Sequence, residues 1–81
     1  MGSKMTDDVN GMRALEAMAE AAYDAMYEAH SKSGAGVCYS DAKDYFREAI
    51  AVAGRLGATE DVVRLEARLL HVKAVFRSQF T

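Results

Sequence analysis

Three side chains of this sequence could carry out acid–base, nucleophilic or metal-binding chemistry: His30, His71 and Cys38. A histidine-based zinc site needs further ligands at a short spacing, such as H-E-x-x-H, and neither histidine stands in one. His30 falls near the end of an apolar stripe and is expected to be partly buried and hydrogen-bonded. His71 shares a predicted basic, solvated face with Arg64 and Arg68. The sequence therefore predicts no metal site and no cofactor.

The segment Ser33-Gly34-Ala35-Gly36 invites comparison with a phosphate-binding loop. It follows a predicted helix instead of a strand, and it lacks the Gly-Lys-Ser/Thr ending of such loops. We interpret its glycines as a helix stop and a turn that requires a positive φ. Cys38, in the same predicted loop, is then a small buried residue or a modestly reactive thiol ahead of a helix. No spacing of serine, histidine and aspartate stands out either, so we expect no catalytic residue and no enzyme.

Composition is typical of a single helical domain. The 81 residues are 51% hydrophobic and include no proline or tryptophan, and β-branched residues never alternate with polar ones, so a sheet is not expected. We expect residues 1–5 to be a vector remnant and a disordered start, and residues 6–81 to form one domain. No apolar stretch approaches the roughly 18 residues of a membrane span, and no secretory signal is evident. With a single cysteine, which excludes an internal disulfide, this favours a cytoplasmic location.

Apolar residues recur at spacings of three and four in three segments, which predicts three helices. These are expected at residues 6–33, 40–56 and 59–79. Thr6 and Thr59 each precede two acidic residues and are interpreted as helix N-termini, whereas Gly57 should end the second helix. Phe46 lies midway along the most amphipathic helix and is expected at the centre of the core. Short connections favour antiparallel neighbours, so the predicted fold is all-α, a three-helix antiparallel bundle.

Charge is unevenly distributed along the chain. Residues 1–54 carry five Lys/Arg and nine Asp/Glu, whereas residues 55–81 carry five and three. An acidic first part and a weakly basic last helix could attract each other, within a subunit or across a dimer. Glu16, Glu20 and Asp24 form an acidic ridge at helical spacing, which we interpret as a solvated face.

The last predicted helix is apolar on two sides. Its larger stripe consists of Val62, Leu65, Leu69, Val72, Phe76 and Phe80. A smaller stripe, nearly opposite, consists of Val63, Ala67, Leu70 and Ala74. One stripe can pack on the rest of the chain, and we predict that the smaller one contacts a second copy or a helical protein partner. The alternative is that helix one covers it with its own small-residue face. That face consists of Ala14, Met18, Ala21 and Ala25.

In the second predicted helix, Ala42, Phe46 and Ala49 follow the small–aromatic–small pattern of a tetratricopeptide repeat, which this segment resembles. Further positions similar to the repeat are Leu56, Gly57, Leu69, Val72 and Phe76. Lys73 stands where the repeat has a small residue. The resemblance covers residues 41–79 and implies a helical hairpin plus one helix, in which small residues let helices approach and the aromatic fills the gap. It also implies a protein-binding module, without ligand residues.

These observations predict a non-catalytic protein–protein interaction module that forms a homodimer through its last helix. The alternative from another class is a small nucleic-acid-binding regulator. Its contacts would be made by Arg64, Arg68, Lys73 and Arg77. The weak positive excess of the last helix and the lack of aromatic residues between its arginines argue against that alternative.

Overall fold

The structure, a computed structural model, describes residues 8–80. Within this range the chain forms three α-helices and no strand, which confirms the predicted all-α fold. The helices are α1 (Val9–Glu28), α2 (Lys32–Arg55) and α3 (Thr59–Gln79). Turns of three residues join them, so sequence neighbours run antiparallel, and α2 packs against both α1 and α3. The expected vector remnant at residues 1–5 and the expected cap at Thr6 lie outside the described residues.

The first and third helices begin differently from the sequence-based expectation. At the start of α1, the backbone N–H of Gly11 donates a hydrogen bond to Asp8 Oδ1 at 2.7 Å, so Asp8 is the N-cap. α3 begins after Ala58 without a side-chain cap, and the prediction that Thr59 caps it is wrong. Thr59 is instead the first helical residue. The two acidic residues that follow it occupy the first turn, where the helix dipole favours negative charge.

The largest departure from expectation lies at residues 33–39, which are helical and not a loop. Ser31 starts α2 earlier than predicted, because its Oγ accepts a hydrogen bond from the backbone N–H of Gly34 at 3.0 Å. A glycine inside a helix lowers helix stability by only about 1 kcal/mol relative to alanine. The burial of Ala35 and the packing of Tyr39 against the core offset that loss. Cys38 therefore lies inside α2, half-buried.

The second turn forms as the sequence predicts. Among the described residues, Gly57 alone has a positive φ, at 71°, a conformation that favours glycine. Its N–H donates to the carbonyl of Gly54, and the N–H of Ala58 donates to that of Ala53, so backbone bonds close the end of α2. Gly34 and Gly36 adopt no positive φ, and their interpretation as turn residues is wrong.

The core lies between α2 and the inward faces of its two neighbours. Phe46 is fully buried at its centre, as predicted, and small residues of α2 lie beside it and allow the helices to approach. The buried cluster comprises Met12, Leu15, Ala19, Ala42, Phe46, Ala49, Val52, Ala53, Leu65, Leu69 and Val72. Each helix contributes one stripe of this cluster, at the spacing that the sequence pattern indicated.

The arrangement of the helices is thin. The Cα atoms span 42 × 25 × 12 Å, and the Cα cylinder of a single α-helix is already about 5 Å across. The shortest dimension is less than two fully stacked helix layers would need, since packed helix axes lie about 8–10 Å apart. As a result, each helix keeps one face at the surface of this chain.

Candidate interaction surface on the third helix

An apolar strip runs along the surface side of α3. Val63 and Leu70 are 61% and 68% exposed, and Ala67 and Ala74 are exposed on the same side of the helix. These four residues, at spacings of four, three and four, form what we call the α3 outer strip. The residues that α3 buries lie away from this strip. They are Leu65, Leu69 and Val72.

Helix one does not cover the α3 outer strip. The exposures of Val63 and Leu70 exclude the alternative in which it does. Much of the small-residue face of α1 lies at the surface as well: Ala14 and Ala21 are exposed, and Met18 is 45% exposed. We call this face, completed by the half-buried Ala25, the α1 outer strip. Both strips therefore remain available to other molecules.

Charged and polar side chains border the α3 outer strip along both edges. At 100° per residue, Glu66 and Lys73 fall on one edge, separated by about two turns. Arg64 and His71 fall on the other edge, also separated by about two turns. Glu66 and His71 are exposed, and Lys73 is half-buried. An apolar centre with a polar rim is the usual composition of a protein contact surface.

The edge that carries Arg64 is tied to α1 by ion pairs. Nη1 and Nη2 of Arg64 both donate to the Glu16 carboxylate, and Arg64 Nη2 also donates to Asp61 Oδ1 at 3.0 Å. Arg68 forms a bidentate ion pair with Glu20, in which the N–O distances are 2.8 and 2.6 Å. The hydrogen bonds that the arginines donate to these carboxylates raise the pKa values of both arginines.

These pairs correct the prediction of a solvated acidic ridge, and they bear on the predicted attraction between the two oppositely charged parts of the chain. Glu16 and Glu20 do not belong to a solvated ridge, since they bind α3; Asp24 alone of the three is exposed. The attraction between the acidic first part and the basic last helix operates within the subunit. The matching four-residue spacings of two acids on one helix and two arginines on another were the sequence signal for this contact. Residue spacing alone did not show that the two helices lie side by side.

Aromatic contacts continue the α1–α3 contact towards the end of the bundle. Tyr23 Oη lies 3.2 Å from His71 Nε2, and the rings of Tyr23 and Tyr27 meet edge to face. Burial, followed by the hydrogen bond with Tyr27, raises the pKa of Tyr23 to about 12. The Phe76 ring stacks on that of Tyr39 with centroids 3.9 Å apart, which attaches α3 to the early part of α2. Sequence reasoning missed this cluster because its members come from three helices.

The remaining candidate residues for chemistry are not brought together. His30 is exposed in the turn between α1 and α2, so the prediction of partial burial is wrong. His71 is exposed, as expected. Within residues 8–80 there is no pocket of ligand size and no cluster of three or more His, Cys, Asp or Glu side chains that could hold a metal. None of the described helices has the length and apolar content that crossing a membrane requires.

Comparison with known proteins yields no match. The chain matches no protein-family model, and no curated protein or solved structure is significantly similar to it.

Proposed function

We propose that this protein is a non-catalytic protein–protein interaction module that self-associates through the α3 outer strip. The observation that carries the proposal is the exposure of Val63 and Leu70, 61% and 68%, on a helix whose opposite side is already buried. Burying apolar surface is favourable by about 25 cal/mol per Å². Contiguous apolar strips with polar borders therefore commonly mark contact surfaces.

The resemblance to a tetratricopeptide repeat supports a binding role. Ala42, Phe46 and Ala49, which carry the small–aromatic–small pattern, are all buried in the core, where that pattern brings helices close together. Repeats of this kind bury a continuous core by stacking on neighbours. A chain with so few helices would gain such a neighbour by association. We place the module in the cytoplasm as part of the same proposal, since its single cysteine suits a reducing compartment.

Nucleic-acid binding is the weaker candidate. Of the four residues that would make the contacts, Arg64 and Arg68 already bind carboxylates of α1. Each pair cancels one of the positive charges that would attract phosphate groups. The positive field that remains is too weak for a duplex-binding surface. No specific observation favours this candidate over self-association.

Light scattering on the wild type and on Leu70→Glu tests the proposal. We expect the wild type to be dimeric at high micromolar concentration and Leu70→Glu to be monomeric, because a carboxylate in the strip would have to be desolvated on association. The matched control is Val37→Glu, since Val37 is 63% exposed and belongs to α2, outside the strip. This control should remain dimeric. Circular dichroism verifies that each variant is helical.

Two outcomes contradict the proposal. A wild type that stays monomeric at these concentrations rejects self-association. A dimer that Leu70→Glu leaves intact places the interface elsewhere, with the α1 outer strip as the next surface to substitute, by Met18→Glu.

A further inference from the structure

We infer that the second copy docks on the α3 outer strip in an antiparallel orientation, with the two-fold axis passing between the levels of Arg68 and Leu69. In this arrangement, which rests on the proposed self-association, Glu66 of each copy lies beside the partner subunit's Lys73. The inference specifies a partner, an orientation and a register. Three properties of α3 lead to it: the sizes of the strip residues, their order, and the charges on one edge.

The α3 outer strip is complementary in side-chain size to a reversed copy of itself. Val63 and Ala74 are equidistant from the proposed axis, and so are Ala67 and Leu70. Reversal therefore places Val63 opposite the partner's Ala74 and Leu70 opposite the partner's Ala67. Each bulky side chain then meets an alanine, so that the two helices stay evenly spaced and can approach closely.

Other arrangements of the same strip lose this complementarity. A parallel pair places each residue opposite its own copy, so that layers of two bulky side chains alternate with layers of two alanines. The bulky layers would hold the helices apart and leave voids at the alanines. In an antiparallel pair with the two-fold axis closer to the start of α3, Val63 would lie opposite the partner's Leu70. Two bulky side chains would then meet again. Size alone thus favours the register stated above.

Charge favours the same antiparallel orientation and is compatible with this register. In an antiparallel pair related by a two-fold axis, the same edge of each helix faces its counterpart. Measured along the helix axis, Glu66 then lies within about 3 Å of the partner's Lys73. The two Lys73 residues are about 14 Å apart along the same axis. Symmetry creates two such ion pairs. On the other edge, Arg64 is already held by Glu16 and Asp61 within its own subunit.

Charge reversal tests the orientation and the register. Glu66→Lys and Lys73→Glu each place like charges at both contacts, and each should weaken the homodimer about tenfold, as measured by sedimentation velocity. An equimolar mixture of the two variants should restore the wild-type affinity within about threefold, because both ion pairs re-form in the mixed dimer. Native mass spectrometry should show the mixed dimer in preference to either homodimer.

The control pair carries the same charge changes away from the strip. Glu48→Lys and Lys32→Glu alter exposed residues of α2 and should neither weaken the homodimer nor favour a mixed one. The inferred geometry is overturned if the dimer depends on Leu70 but not on Glu66 or Lys73, or if mixing restores nothing. In both of these cases the proposed self-association stands. A monomeric wild type instead removes the proposed self-association itself.

Discussion

Phe46 is the largest fully buried side chain among the described residues. Two of its neighbours along the same face of α2 are alanines, Ala42 and Ala49, and all three residues are fully buried. Alanines bring the helices together but supply little volume, so the aromatic ring provides most of the local packing.

The stability of the fold should therefore depend strongly on this residue. We expect Phe46→Ala to lower the free energy of unfolding by about 3–5 kcal/mol, through lost burial and the cavity that remains. Urea denaturation followed by circular dichroism measures the change. Val37→Ala, at an exposed position of the same helix, should change stability by less than about 0.5 kcal/mol. A loss below about 1 kcal/mol for Phe46→Ala would mean that α2 does not pack as described.

At the scale of the helix, the beginning of α2 shows what local sequence signals omit. The Ser31 cap and the glycine run give opposite indications, and the deciding contacts are not local. Tyr39 stacks on Phe76 of α3, a residue far away in sequence, and Ala35 is buried. These contacts stabilise helix across residues 33–39, and no pattern within that segment reveals them.

Substitution by alanine distinguishes a glycine inside a helix from a glycine that needs a positive φ. A Cβ at Gly36 would meet no atom within 4 Å, and the residue is helical, so Gly36→Ala should raise the free energy of unfolding by about 0.5–1 kcal/mol. Gly57 has a φ of 71°, so Gly57→Ala should lower it by about 1–2 kcal/mol. Thermal denaturation of both variants measures these effects. Destabilisation by Gly36→Ala would indicate that the segment is a turn after all.

Periodicity predicted what each helix buries but not which helix lies beside which. The stripes of Leu15 on α1 and Leu65 on α3 were readable because burial repeats with the helical turn. The contact of Glu16 with Arg64 was not, since it depends on how two helices distant in sequence are placed. For the same reason the α3 outer strip could be predicted as apolar from the sequence, whereas its exposure required the structure.

At the scale of the whole molecule, the small thickness of the bundle determines how much helix surface stays exposed. With a shortest Cα dimension of 12 Å, three helices bury one side each and leave the α1 and α3 outer strips at the surface. A chain of this size has few apolar residues for a larger core. Association through a strip would add buried surface without a longer chain. This is the physical reason to expect a second copy on α3.

The pairs Glu16–Arg64, Glu20–Arg68 and Tyr23–His71 all join residues 48 positions apart, which favours one order of folding over others. Each hairpin closes through a three-residue turn, whereas bringing α1 against α3 before the hairpins form would close a much longer loop at a higher entropic cost. The α1–α3 pairs should therefore form after the rate-limiting step. In the Leu70→Glu background, Glu20→Gln should accelerate unfolding about two- to fivefold and leave the folding rate unchanged, in stopped-flow measurements. A slower folding rate would instead place α1 against α3 in the folding nucleus.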